Sequence, residues 1–386
     1  MKRIKRIALL MGHDVGYCRD VLRGIQAYAI HKRYWLLHDG PPEPQIIPPL
    51  RQWKPHGVIA FLVEPKFARQ VVRLNTPLVN ICSNTARDNV PLVTTDHIAI
   101  GRLAAEHFLD RRFRHFGYFG NAWSHSSQQR EKGFRERLAE EGFDISSRYA
   151  DYLPRLPRWT HWEGVDREVE HWLQEFPKPA AILACNDVPA RHLAHICWRL
   201  GLNIPEVVAL LGVDNDEMEC RLTYPPLSSV AIPGEQIGYE AASTLDRLIS
   251  GRKLRKRTCI LDPIGVVVRQ STDVMAIDDP DVVAALEYIA HHAMKNIGVE
   301  DVAEQAGLGR RVLERRFQAV LGRTVLQEIW RVRIEQAKEL LTETDLSMPS
   351  IASRSGFSSP QRMAVVFRKV TGMTPTEFRR RWQIRG

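Results

Sequence analysis

Polar side chains collect where four short apolar runs end. Gly12-His13-Asp14 follows Ile7 to Met11, Thr95-Asp96 closes another run, Asn186-Asp187 follows Ala180 to Cys185, and Val213-Asp214-Asn215 follows Val207 to Gly212. Amides donate and accept hydrogen bonds and carboxylates accept them, so this set suits the paired hydroxyls of a polyhydroxylated ligand. Arg130, in Gln129-Arg130-Glu131, adds a cation within reach of the same place, and Tyr17 and Trp123 offer rings for the apolar face of a sugar. Each residue alone has a plainer reading. An Asp after a strand is about as often a helix N-cap, and a loop Trp is more often packing. The four ends together carry the inference, and these ten residues are the ligand candidates.

A second group lies near the C-terminus. Val299 to Ala306 reads as a short helix, Gly307-Leu308-Gly309 as a tight turn and Arg310 to Leu321 as a second helix, the plan of a helix-turn-helix. Val302, Ala303, Leu308, Leu313 and Phe317 make its small core and leave Arg310, Arg311, Glu314 and Arg315 facing outward. Arginine grips a guanine edge at two points, and glutamate accepts from cytosine. The plan repeats in Met348 to Ser355, Gly356-Phe357 and Ser359 to Val370, with the two turn glycines 49 residues apart. A long helix over Val325 to Leu341 separates the repeats. Residues 307–386 carry 16 Lys and Arg against 7 Asp and Glu, a surplus equal to the +9 of the whole chain. Neutralising a polyanion such as double-stranded DNA requires that concentration of charge. The apolar residues at helical spacing mark the segment as folded, not as a solvated basic tail.

The elements that must hold the first group alternate. Apolar runs at Ile7–Met11, Gly57–Val63, Pro77–Cys82, His115–Phe119, Ala180–Cys185 and Val207–Gly212 read as strands. Amphipathic stretches at Arg19–Lys32, Pro65–Asn75, His97–Arg111, Gln128–Glu141, Gly164–Phe176, Pro189–Leu200 and Gln236–Ser250 read as helices. Continuous apolar strands between helices predict an α/β fold with parallel sheets covered on both faces, and such sheets bind ligands at the carboxyl ends of their strands. From Pro280 onward the period is helical throughout. The polar, acidic stretch Arg269–Asp281 reads as the connection, giving a sensor domain over 1–270, a linker over 271–281 and an all-α domain over 282–386.

Composition narrows the classes. At 386 residues the chain is long enough for two or three domains, and 44% hydrophobic with 26% charged residues is an ordinary soluble composition. No apolar run reaches the roughly 20 residues that span a bilayer. The basic start Met1 to Arg6 is followed by too short an apolar stretch for a signal peptide, so a cytoplasmic location is expected, with no membrane partner. Six cysteines without a CxxC pair read as buried thiols, with no metal site and no cofactor. No nucleophile motif or phosphate loop appears, and the expectation is not an enzyme.

Two resemblances follow from these residues. Ala184-Cys185-Asn186-Asp187, Gly212-Val213-Asp214-Asn215 with Pro225 to Val230, and the Asp96–Gly101 spacing make residues 4–270 resemble the LacI/GalR-type sugar sensors, two-lobed relatives of periplasmic sugar-binding proteins. The likeness implies cleft positions for Asp96, Arg130, Asn186 and Asp214. It departs from that family in having no DNA-binding segment ahead of the first strand. Ile351-Ala352, Gly356-Phe357, Phe367-Arg368-Lys369, Gly372 and Thr374-Pro375-x-Glu377-Phe378-Arg379 make the last segment resemble the AraC/XylS-type regulators. That likeness implies reading positions at Arg311, Glu314 and Arg315 in the first repeat and at Pro360, Gln361 and Ala364 in the second, with Ser359 opening the second reading helix. Arg310, Arg316, Arg368 and Lys369 are then expected on phosphates. The pairing implies a sugar-responsive regulator of pentose genes, an activator with D-xylose as first effector or else a repressor of the same architecture responding to another sugar, acting as a homodimer on promoter half-sites with RNA polymerase as a further partner.

Overall fold

The computed structural model describes residues 4–30, 34–85, 89–150, 162–205, 207–254, 256–275 and 279–382. Lys32, the expected end of the first helix, and residues 276–278 of the connecting stretch lie outside the described residues. The chain divides into two bodies, Met1–Val274 and Met275–Gly386.

The first body has two lobes. The first lobe opens with β1 (Lys5–Leu10), α1 (Gly16–Ala29), β2 (Trp35–Gly40), α2 (Ile47–Trp53), β3 (Gly57–Ala60), α3 (Pro65–Val72), β4 (Leu78–Asn80) and β5 (Leu92–Thr95). The chain then crosses to the second lobe for α4 (His97–Asp110), β6 (His115–Gly120), α5 (His125–Ala139), β7 (Ile145–Tyr149), α6 (Trp162–Glu175), β8 (Ala180–Ala184), α7 (Asp187–Arg199), β9 (Val208–Asp214), α8 (Glu217–Leu222) and β10 (Ser228–Ala231). It returns for α9 (Gly234–Ile249) and β11 (Thr258–Leu261), and crosses a third time into β12 (Gly265–Val267). The sheets run β11-β5-β4-β3-β1-β2 and β12-β10-β9-β8-β6-β7.

The pairings are parallel, as expected, except that the edge strand β12 joins β10 antiparallel. The central strands are buried on both faces, as Val208–Val213 and Gly57–Ala60 show, so their runs are uninterruptedly apolar. The edge strands β2, β7, β11 and β12 are only half-buried, and most of their apolar runs are three residues or fewer, so the sequence reading passed over them. Strand β10 is buried but begins Ser228-Ser229, side chains with hydrogen-bonding work to do. Cys259, on β11, is half-buried, unlike the other five free thiols, which corrects the expectation of six buried ones.

Residues 269–273 are polar because they close the second lobe. Ser271 Oγ donates to Leu210 O at 2.6 Å and accepts from Ser228 N–H at 2.8 Å. Arg111 Nε donates to Thr272 O at 2.7 Å, and Thr272 Oγ1 lies 2.9 Å from His107 Nε2. The division at Val274 thus falls inside the stretch read as linker.

The second body is helical: α10 (Pro280–His292), α11 (Val299–Gln305), α12 (Arg310–Leu321), α13 (Val325–Glu343), α14 (Met348–Arg354), α15 (Pro360–Thr371) and α16 (Pro375–Trp382). Thr324 and Gln327 form a capping box at the start of α13, and Ser347 and Ser359 cap α14 and α15. Two apolar cores share α13: Val325 and Ile329 join α10–α12, while Ile334, Ala337 and Leu341 join α14 and α15.

Candidate effector cleft and DNA-reading face

The carboxyl ends of the strands in both sheets face the junction between the lobes, and side chains bridge it. Arg19 of α1 donates through Nη2 to both carboxylate oxygens of Asp216, each at 2.8 Å. Ser83 Oγ lies 3.0 Å from His97 Nε2, and Asn84 Oδ1 accepts from Ser124 Oγ and Ser126 N–H, each at 3.2 Å. The approach is close: a Cβ on Gly16 would stand 2.5 Å from Asp216 Oδ2.

Arg130 is buried at this junction. It donates through Nη1 to Cys185 O and through Nη2 to Asp214 Oδ1 at 3.4 Å. Burial pushes Asp214 up to about 6 against the pull of that guanidinium. The charges of Arg130 and Asp214 act on Tyr17 from the first lobe, and burial raises that phenol well above its ordinary range. Arg130 Nε, Asn186 Oδ1 and His97 Nδ1 are buried polar atoms without a hydrogen-bond partner. An unmade bond of this kind costs about 1–3 kcal/mol, so three of them near one junction point to a polar ligand. Burial holds the His97 imidazole well below its usual value and therefore neutral.

The turn that presents Asp214 is strained. Asp214 and Asn215 have φ of +105° and +53°, conformations costing about 1–3 kcal/mol each for residues with a side chain. Neighbours hold them there. Asn215 N–H donates to Ser229 Oγ at 2.9 Å, Arg269 Nη2 donates to Asn215 Oδ1 at 2.8 Å, and Asp187 accepts from Ser229 Oγ at 2.6 Å and from Asp216 N–H at 2.7 Å.

Of the ten ligand candidates, Tyr17, Arg130, Asn186 and Asp214 meet at the junction. Tyr17 also donates its hydroxyl to Ile81 O at 2.7 Å. Asp187 and Asn215 spend their oxygens on the strained turn. Asp96 accepts from Ala99 N–H at 2.9 Å as the N-cap of α4. His13 is exposed and bonds Asp39 at 2.7 Å, Asp14 is exposed, and Trp123 is 40% exposed. Sequence reasoning passed over Arg19, Ser83, Asn84, His97 and Asp216. Ser83 and Asn84 follow the apolar run Pro77–Cys82, so the strand-end rule extends to them. Arg19 lies within a helix and carries no such signal.

The second body presents Arg311 and Arg315 exposed on α12. Three neighbours have other work. Glu314 is half-buried, and one of its oxygens accepts from Val325 N–H at 3.4 Å. Arg310 pairs with Glu300. Arg316 binds Asp281 at 2.7 Å and Asp279 at 3.2 Å, tying α12 to the start of α10, so the phosphate contact expected of it is replaced by an internal pair. On α15, Ser359 Oγ accepts from Arg362 N–H as the cap and Pro360 is the first helical residue. Gln361 and Arg368 are exposed and Ala364 is half-buried. Arg362 and Lys369 stand 5.4 and 5.3 Å from the Trp330 ring. Val365 is 62% exposed in the middle of this polar face, a position the sequence reading omitted.

No helix among the described residues is long and apolar enough to cross a membrane, and no cluster of His, Cys, Asp and Glu there could hold a metal ion. The family model of the periplasmic binding protein-like domain matches residues 105–272, and that of a helix-turn-helix domain matches 302–381. The xylose operon regulatory protein of Escherichia coli K12 is 30% identical over 97% of this chain and 96% of its own length. Its counterpart in Haemophilus influenzae is 30% identical over 97% and 98%. A solved structure of the xylose-binding transcription activator xylR superposes with a TM-score of 0.63 at 28% identity, covering 99% of this chain and 100% of that one. With both bodies matched in the same order along nearly its whole length, the chain belongs to the family of xylose operon regulatory proteins.

Proposed function

We propose that the chain is a cytoplasmic transcription activator that binds D-xylose between its lobes and promoter DNA through its two helix-turn-helix units, as a homodimer. The observation that carries the reading is the set of partnerless buried atoms on Arg130, Asn186 and His97 at the lobe junction, in a chain whose exposed Arg311 and Arg315 crown a reading helix. The names of its relatives, the xylose operon regulatory proteins and the xylose-binding transcription activator xylR, support xylose as the sugar, and the latter supports activation as the sign.

A ligand shifts a conformational equilibrium only by its differential affinity for the two states. A sugar touching Tyr17 on one lobe and Arg130, Asn186 and Asp214 on the other gains all its contacts only when the lobes meet. It therefore adds to the closed state that the Arg19–Asp216 pair already favours. Two DNA-binding bodies on one dimer then gain effective concentration at paired half-sites. In this reading Asp187, Asn215 and Arg269 position the strained turn without touching sugar.

Calorimetric titration of the purified protein tests the effector. D-xylose is expected to bind more tightly than D-glucose or L-arabinose, and equal affinities would remove the assignment. A promoter-reporter assay with and without xylose gives the sign of regulation. RNA polymerase as a partner is tested in the same assay by reconstitution from purified components.

A further inference from the structure

We propose that Arg333 is a positioning residue that fixes the separation of the two DNA-reading helices, so that the protein selects its operators by the spacing between two contacted segments. The proposal deepens the DNA-binding reading and rests on it.

Arg333 sits where α13 passes from one apolar core to the other, between Ile329 of the first and Ile334 of the second. Its Nε donates to Ala293 O at 2.7 Å, and its Nη2 donates to Lys295 O at 3.0 Å and reaches Ile297 O at 3.5 Å. Those carbonyls end α10 and lead into α11, so they belong to the three-helix unit that holds the first helix-turn-helix. On its other side the guanidinium lies 6.0 Å from the centre of the Phe357 ring, in the turn of the second. The turn presses in from there: a Cβ on Gly356 would stand 2.5 Å from Ala293 O and 3.0 Å from Arg333 Nε. Gly356 also needs its φ of +73°, so this approach is available to glycine alone.

A shared helix fixes distance along its axis but resists rocking about that axis only where something ties its flanks. Arg333 supplies the tie. Its planar fork of donors meets several carbonyls at once while its face remains free for the ring, a geometry a lysine ammonium does not reproduce. Partial burial lowers its basicity without discharging it, consistent with a cation held between two surfaces.

The test uses the full chain. Duplexes are selected from a random-sequence pool by the wild-type protein, and the two segments contacted by one protomer within a half-site are located by footprinting. One base pair is then inserted between them, which moves one segment by about 3.4 Å and turns it by about 34°. Wild type is expected to lose affinity by about tenfold or more on insertion. Arg333→Ala is expected to bind the parent duplex more weakly and to discriminate against the insertion by less than about threefold. Arg333→Lys should behave more like the alanine variant than like wild type. Circular dichroism establishes that each variant folds, and Phe357→Leu, which removes the ring face but keeps an apolar side chain, replaces any that does not. A folded variant with the wild-type spacing ratio overturns the proposal. A wild-type protein that selects no duplex overturns the DNA-binding reading instead.

Discussion

Asp214 is aimed by strain and tuned by burial. With its carboxyl raised to about 6, the group ionises near neutrality, and only the ionised form accepts hydroxyl protons at both oxygens. Sugar affinity is therefore expected to fall as pH drops through about 6 and to level off above it. The groups acting on it are Arg130, Asp216 and Asp20, and it acts in turn on Tyr17, Cys18, Cys185 and buried Asp187, whose own carboxyl is raised well above its usual range. Asp214→Asn should flatten the pH profile and weaken binding by about 10- to 100-fold, measured by calorimetry across pH. The sign for stability is opposite. A folded value above the unfolded 3.8 contributes stability that is complete at low pH and is lost as pH rises through about 6. On the reading face, Arg315→Ala should lose about 1–3 kcal/mol of discrimination at one base pair. Arg368→Ala should lower the salt slope of binding by about one charge. Arg316→Ala should leave that slope alone and lower thermal stability instead, because its partners are Asp279 and Asp281. Sequence separated these arginines poorly, since exposure on a helical wheel does not show which acidic residue thirty-five positions away has claimed a side chain.

The helices that seat Arg130 do so through glycine. A Cβ on Gly101 of α4 would stand 2.0 Å from Arg130 O of α5, and one on Gly133 would stand 2.1 Å from Ile98 O. Gly101→Ala must force the pair apart, at a cost of about 1–3 kcal/mol. It should also weaken sugar binding with every ligand-facing side chain intact, which a denaturation curve and a titration on one sample would separate. The alternation of strands and helices was legible because central strands are apolar on both faces. Edge strands were not, because half of each meets water. The strand-end rule points to Asn186 and Asp214, which reach the lobe junction, but it does not tell a group free to meet a ligand from one that props its neighbours. Asp187 and Asn215 have the right type and place, yet their oxygens are consumed by Ser229, Asp216 and Arg269. Only the folded hydrogen-bond pattern separates those roles.

At the scale of the molecule, a ligand that binds only the native sensor stabilises it by mass action, by about 2.7 kcal/mol when present at a hundred times its dissociation constant. Xylose should raise the melting transition of the first body by several degrees, seen by calorimetry, while the transition of residues 275–386 stays where it is. The three crossings between lobes have a mechanical corollary. The chain leaves the sensor after Thr272, whose carbonyl and hydroxyl are anchored to Arg111, just past α4, and His107 of α4 in the second lobe, so the departing chain is bolted to that lobe and not to the pivot. If the proposed closure turns one lobe against the other, the exit point at Thr272 is therefore expected to move with the second lobe.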